Sequence, residues 1–439
     1  RSGNQVFVRL SKYSLPDLLG QPHNIIRHPD MPRAVFKLLW DYLLSGKPIA
    51  AYVKNLAADG SYYWVFALVT FLQDGFLSIR LKPSSRLFPV VKELYKTLRE
   101  IELKSGDRGE DGKQAMSDAH NQLIAALNSL GLADYDEFMY LALQEEMRSR
   151  DQEMNRLGLE VAECKQSYLG EDASDLEKME LALYQAYRKL NGIYQQIDDF
   201  VELNASLMKQ SSFIEDISDK FRYVAINTAI ESAKLGNLGE SLGVIANHLG
   251  ESSQAVEIVS GEFFSHLGHA TAGLKKNIFN LAAARLQMEV SLDFCREALA
   301  ESSNGQITEM EERVNLVSEA SRQSPAEMLK DLESALNATL SEIGPSLGML
   351  GRNLGELDYQ SEELRKTILT LRFAQLGGII ESTRIDVGST FTSLFEEIES
   401  HIEGARTEFR GLSRTVQQIA SSVQSVPVEI ADVLELLEG

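Results

Sequence analysis

Cysteine is nearly missing from these 439 residues, with only Cys164 and Cys295, far apart and both in helix-like surroundings. No disulfide framework and no cysteine metal cluster can come from such a pair, so a reducing cytoplasm is the expected compartment. Long apolar runs are missing too. The longest, "YYWVFALVTFL" over 62–72, is about half of what crosses a bilayer, and its aromatic and β-branched content is that of a buried strand. Positive charge is scarce: 43 basic residues stand against 64 acidic ones, a formal net charge of -21, which repels nucleic acid and anionic lipid alike. The first residues show no basic segment followed by an apolar one, so no secretory signal is expected there.

Catalytic signatures are absent as well. There is no glycine-rich phosphate loop ending in Lys-Ser/Thr, no His-Glu-x-x-His, no Gly-x-Ser-x-Gly and no Cys-x-x-Cys. His248, His266 and His269 fall on one helical stretch without an acidic or cysteine partner at metal-binding spacing, and read as a solvated face. An enzyme is therefore the least favoured class.

Proline is unevenly spread: most of the ten fall in the first ninety residues, and long stretches after 115 have none. That asymmetry predicts a compact mixed domain followed by long helices. Up to about residue 85 the pattern changes every few residues, with a helical turn at "YSLPDLLG", an amphipathic helix at "MPRAVFKLLWDYLLSG" and three β-rich runs divided by "AADGS" and "QDG". Asp-Gly between β-rich runs is a hairpin signal, so the reading is a small α+β domain with an antiparallel sheet. The charged "KSGDRGEDGKQ" (104–114) reads as a linker, and helices are expected near 115–130 and 134–168.

Beyond 172 a heptad pattern emerges. Ile193, Ile197, Phe200, Asn204, Leu207, Ser211, Ile214, Ser218 and Phe221 alternate at spacings of four and three, and Leu242, Ile245, Leu249, Ser252, Val256, Val259 and Phe263 do so beyond "KLGNLGE". Two such arms joined by a glycine-containing turn predict an antiparallel coiled-coil hairpin whose seam is diluted by polar residues. After "SSNGQ" helix resumes, with a break expected at "GPS" (344–346). "RYVAINTAIESAKLG" (222–236) also lines up with "RFAQLGGIIESTRID" (372–386), which suggests a second, diverged hairpin. The organisation expected is 1–95 compact α+β domain, 96–170 linker and connecting helices, 171–304 hairpin with its tip near 234–241, and 305–439 a second helical region.

Two resemblances give these segments a context. "GQPHNIIRHPDMPRAVFKLLWDYLLSGKPIAAYVKNLAADGSYYWV" (20–65) closely resembles the PAS domain of bacterial aerotaxis receptors, element by element and at family spacing. The resemblance implies non-covalent FAD in the domain, sensed through its redox state, with Arg27, His28, Asp30 and Trp40 as cofactor contacts and Asn24 and Asn55 as pocket polars. Arginine offers a planar fork to phosphate or carbonyl oxygens, and an indole can stack on an aromatic cofactor. Taken singly, Asp30 also reads as a helix N-cap and Trp40 as plain core. Haem held by His23 or His28, or no cofactor at all, are the alternatives.

The second resemblance covers 217–249, which looks like the cytoplasmic tip of methyl-accepting chemotaxis proteins: Asn227, Ala229, Ile230, Glu231, Ala233, Gly236, Gly239, Val244 and Ala246 agree in register. It implies a partner-binding tip at Asn227, Glu231, Lys234 and Asn237. A homodimer, the chemotaxis coupling protein and its histidine kinase are the partners that follow. Departures are present: lysine stands at 234 for the family's arginine, Asn237 for its glutamate, and Asp219 for a packed phenylalanine. Lysine cannot reproduce a bidentate guanidinium fork. The expectation is a cytoplasmic redox or energy sensor that relays through a coiled-coil hairpin, against the alternative of a coiled-coil scaffold whose PAS domain only dimerises or docks.

Overall fold

A computed structural model describes residues 5–18, 20–72, 75–107, 112–158, 173–198, 218–304, 325–385 and 389–438. Cys164 and the seam positions Phe200, Asn204, Leu207, Ser211 and Ile214 lie outside the described residues. Two compact units are formed, one from 1–194, 275–343 and 429–439, the other from 195–274 and 344–428.

The first unit begins with the expected α+β domain. Helices α1 (Gln5–Ser11), α2 (Leu15–Leu18) and α3 (Arg33–Leu44), with a single 3-10 turn at His23–Ile26, precede an antiparallel sheet of β1 (Ile49–Leu56), β2 (Tyr62–Leu72) and β3 (Gly75–Leu81) in the order β1-β2-β3. Both hairpins fall at the Asp-Gly signals. In the first, Asp59 Oδ1 accepts from the backbone N–H and the hydroxyl of Ser61 at 3.0 and 2.6 Å, and Gly60 takes the left-handed φ of 82° that a side chain would resist. Pairing of Asn55 with Tyr63 and of Ala67 with Arg80 places Ala51, Val53, Asn55, Tyr63, Val65, Ala67 and Arg80 on one face; Tyr52, Phe66, Leu68 and Ile79 take the other.

That second face is covered by helices. From α6 (Tyr135–Leu157), Tyr135 donates its hydroxyl to the carbonyl of Ala50 at 3.1 Å, and the Glu146 carboxylate accepts from Tyr52 at 2.8 Å and from the Ser85 hydroxyl at 2.7 Å. Helix α6 is opened by an Asp134 cap on the Glu137 N–H and closed by Gly158 in the left-handed region. Helices α4 (Leu87–Asp107), α5 (Gly112–Ser129) and α7 (Asp175–Asp198) complete this part, and α4 and α5 take in both described ends of the segment expected as a linker.

Through the same unit runs part of α9 (Glu240–Asn304), buried without interruption from Asn277 to Glu289. A helix buried all round must neutralise every polar group it carries. Arg285 meets Asp151 of α6 through two bonds of 2.7 Å, and Glu289 takes Arg150 at 2.6 Å.

Among the described residues, the second unit is built mainly from four helical segments: α8 (218–234), the first part of α9, and those parts of α10 (Pro325–Ile385) and α11 (Ser389–Glu438) that fall within 344–428. Paired contacts show antiparallel neighbours throughout: Ser218 with Ser253 for α8 and α9, Gln360 with Glu262 for α10 and α9, Gln375 with Phe395 and Asp358 with Gln417 for α10 and α11. Helices α8 and α10 each lie against α9 and α11, Phe221 of α8 meeting His401 of α11. The helix does not break at 344–346: α10 passes through Pro345, because Ile343, Leu347 and Leu350 are buried and hold the segment in place despite the missing hydrogen bond. The α9 seam also differs at alternate positions. Leu242, Leu249, Val256 and Phe263 are buried as expected, but Ala246, Ser253 and Ser260 fill the positions between them, while Ile245, Ser252 and Val259 are half-buried. Small side chains there admit close helix approach.

Candidate functional site

The segment 27–31 lies along the free edge of β1. Arg27 and Asn55 form an isolated antiparallel bridge, the His28 N–H donates to the Lys54 carbonyl at 3.3 Å, and Lys54 N–H reaches Met31 Sδ at 3.2 Å. Side chains from this edge then divide between two surroundings.

On one side, Asp30 pairs with Lys54 at 2.6 Å, and the His28 ring stands edge-on to Tyr62. His28 Nδ1 accepts from the Asp30 N–H at 3.1 Å, which leaves its other nitrogen to carry the proton. Burial, reinforced by the Lys54 charge and opposed by Asp30, lowers the His28 pKa, so the ring is neutral at pH 7. The hydrogen bond from Lys54 holds Asp30 below its ordinary value. Asp30 therefore does not cap α3. That end is held instead by Glu102 of α4, whose carboxylate accepts from the N–H groups of Arg33 and Ala34 at 3.0 and 2.9 Å.

Around Glu102 gathers a basic depression of about 370 Å³ lined by Asn24, Arg27, His28, Met31, Arg33 and Arg99. Arg99 binds Glu102 at 3.2 Å, and the Arg27 guanidinium sits 4.1 Å above the Phe36 ring. Burial lowers the Arg27 pKa, Glu102 opposing and Arg33 and Arg99 adding to it. Three guanidiniums around one carboxylate leave an excess of positive charge in a chain of net charge -21. An anionic group fits that excess.

On the other side, Asn55 is buried at 1% exposure, and its amide nitrogen is sealed from solvent with no partner at hydrogen-bond geometry. It shares the sheet face with Tyr63, whose hydroxyl is sealed in the same way, and with Arg80, stacked over Phe7 at 4.9 Å. Burial raises the Tyr63 pKa, opposed by the Arg80 charge and by hydrogen bonding from Asn55 and Arg80, and burial lowers that of Arg80, opposed by Tyr63. A buried donor whose bond within the protein is poorly formed is one that a carbonyl-bearing ligand can satisfy.

Of the residues expected to hold a cofactor, Asn24, Arg27, His28, Asp30 and Asn55 are brought to this edge. Trp40 is not: it is 48% exposed and packs edge-on against Phe76, at the end of the sheet remote from Asn55. Sequence reading passed over Tyr63, Arg80, Arg33 and Arg99. Strand parity across the two Asp-Gly hairpins could have found Tyr63 and Arg80, since that register puts both on the Asn55 face. Nothing local announces Arg99, which arrives from α4.

At the expected tip, Glu231 and Lys234 form a 2.6 Å ion pair, Asn227 is half-buried and Asn237 is exposed in the 3-10 turn Gly236–Gly239. The Ser232 hydroxyl donates to the Gly239 carbonyl at 2.6 Å, and any side chain at Gly239 would strike the Ser232 backbone. Asp219, the residue in place of an aromatic, is exposed.

Comparison with known proteins bears on the first domain. Residues 2–76 match the PAS fold family. The aerotaxis receptor of Escherichia coli is 42% identical over 100 residues, 22% of this chain and 20% of that receptor, so the chain spans about a fifth of the length of the curated relative it matches. The domain is a PAS domain, followed by long helices fitting a chemoreceptor-like signalling part. Among the described residues, no helix is long and apolar enough to cross a membrane.

Proposed function

We propose that this chain is a cytoplasmic, non-enzymatic, chemotaxis-type redox or energy sensor. In this reading its PAS domain binds FAD, and its helices relay the cofactor's state to a chemotaxis coupling protein and histidine kinase, or to another protein at the tip. The observation that carries the cofactor is Asn55: a buried amide donor with no well-formed hydrogen bond, beside the Tyr63 hydroxyl, on a PAS sheet face shared with Tyr63 and Arg80 and bridged at its edge to Arg27. The flavin supplies a ring whose charge and hydrogen bonding change with redox state. Asn55 and Arg80 would meet its polar edge, while Arg27, Arg33 and Arg99 would hold its phosphates.

The relay is supported by the other face of the sheet. Thr70 of β2 contacts Gln287 in the fully buried stretch of α9, and α9 contributes residues to both units. A homodimer is expected by resemblance, and one chain already supplies four helical segments of the bundle among the described residues.

The test is the visible absorption spectrum of the purified protein before and after dithionite. Two flavin bands that bleach on reduction, and that are lost in Asn55→Leu with the circular dichroism unchanged, are the expected result. A Soret band would replace FAD by haem. A featureless spectrum from folded protein would sink the sensor and favour a scaffold, to which the exposed Asp219 at the tip already gives some support.

A further inference from the structure

The similarity between 222–236 and 372–386 extends to surfaces that helix amphipathicity does not explain. Inward positions agree as any two bundle helices must: Phe221, Ala225, Thr228 and Ser232 are buried, and so are Leu371, Gln375, Gly378 and Ser382 at the matching places. The outward positions agree too, and there a solvated helix should be polar. Tyr223, Ile226 and Ile230 on α8, and Phe373, Leu376 and Ile380 on α10, are each between 43 and 75% exposed. Spaced at i, i+3 and i+7, each triad is a second apolar stripe on a helix whose first stripe already faces the core.

The charges bordering the stripes repeat as well. Arg222 and Arg372 precede them; Lys234 and Arg384 follow. Lys234 is tied to Glu231 and Arg384 to Glu381 by the same i, i+3 ion pair, and in both pairs the carboxylate is the more buried member, so the cation faces out. Both triads thus sit between basic groups about 18 Å apart along the helix. Two copies of this chain meeting through these stripes would bring like charges together at the ends.

We propose that unit two carries two equivalent docking faces, one on α8 and one on α10, each taking one copy of the same protein partner. That partner's surface has an apolar centre with carboxylates at its two ends. Because α8 and α10 each lie against α9 and α11, a single chain offers both faces. The partner's class rests on the reading that the tip is read by the chemotaxis coupling protein; the duplication rests on the residues above.

Native mass spectrometry of the full chain with the purified coupling protein of its own host tests this. Two copies per chain are expected, falling to one in Ile226→Ser and in Leu376→Ser and to none in the double variant, with helicity unchanged because both positions are exposed. Lys234→Glu and Arg384→Glu should each weaken one site by tenfold or more. One copy per chain, lost in Ile226→Ser and indifferent to Leu376→Ser, overturns the duplicated face and leaves the partner reading standing. No complex at all overturns both. Chain dimers that disappear in the same variants would assign the stripes to self-association and overturn the proposal.

Discussion

Gln287 of α9 donates its amide to the Thr70 hydroxyl of β2 at 3.2 Å, joining the PAS sheet to a helix more than two hundred residues further along the chain, with both side chains buried. Gln287 Oε1 has no partner in the same place, so the contact is half satisfied. Such a contact sets which residues face each other more than it adds stability. A double-mutant cycle with Thr70→Val and Gln287→Leu should give a coupling of about 0.5–1.5 kcal/mol by denaturant unfolding. Additive effects would show that sheet and helix do not interact here.

Arg285 carries more of the buried charge balance. It pairs with Asp151, lies beside Glu289 at 3.3 Å, and stacks over Tyr194 at 5.4 Å. Arg285→Met leaves partly buried Asp151 without its guanidinium and Glu289 held by Arg150 alone, and should cost about 2–3 kcal/mol. Arg285→Lys keeps the charge but not the fork, and should fall between wild type and Met. Urea unfolding of the three proteins checks the order.

His28 makes stability depend on pH. Burial and Lys54 lower its folded pKa below the ordinary 6.5, so the unfolded chain binds the proton more readily. The stability linked to its neutral form is present above pH 6.5 and is lost as the pH falls through the folded pKa. His28→Gln should therefore flatten the decline in Tm between pH 6.5 and 5. An unchanged slope would mean that the ring is not held neutral.

At Gly378, α10 lies close against the Phe395 ring of α11. A methyl group there would run into the Phe395 ring, whereas the matching position on α8, Thr228, carries a buried side chain. Gly378→Ala should cost about 1–3 kcal/mol through overpacking. Phe395→Leu in the same chain should recover part of that loss, measured as Tm.

How much was legible follows from how local each signal is. The Asp-Gly hairpins, the amphipathic α3 and the long helices were readable because each depends on neighbouring residues, and all are present. Of the segment 104–114, expected as a linker, the described ends belong to α4 and α5, because charge and glycine count against helix only when nothing packs on it; Ser105 is buried and α4 reaches Asp107. Asp30 looked like a cap from its position alone, yet Lys54 takes it and Glu102 arrives from α4 to do the capping.

By itself the sequence determined the elements, the PAS motif at the β1 edge and the repeated pattern on α8 and α10, since period, turn chemistry and spacing are properties of a short stretch of chain. Only the tertiary structure decided that Trp40 stands apart from Arg27 and Asn55, that α9 is buried on every side from Asn277 to Glu289, and that the helix runs through Pro345. Those outcomes depend on which distant surfaces meet. Burial free energy is shared across many residues and outweighs the one or two kcal/mol by which a local preference would have chosen otherwise.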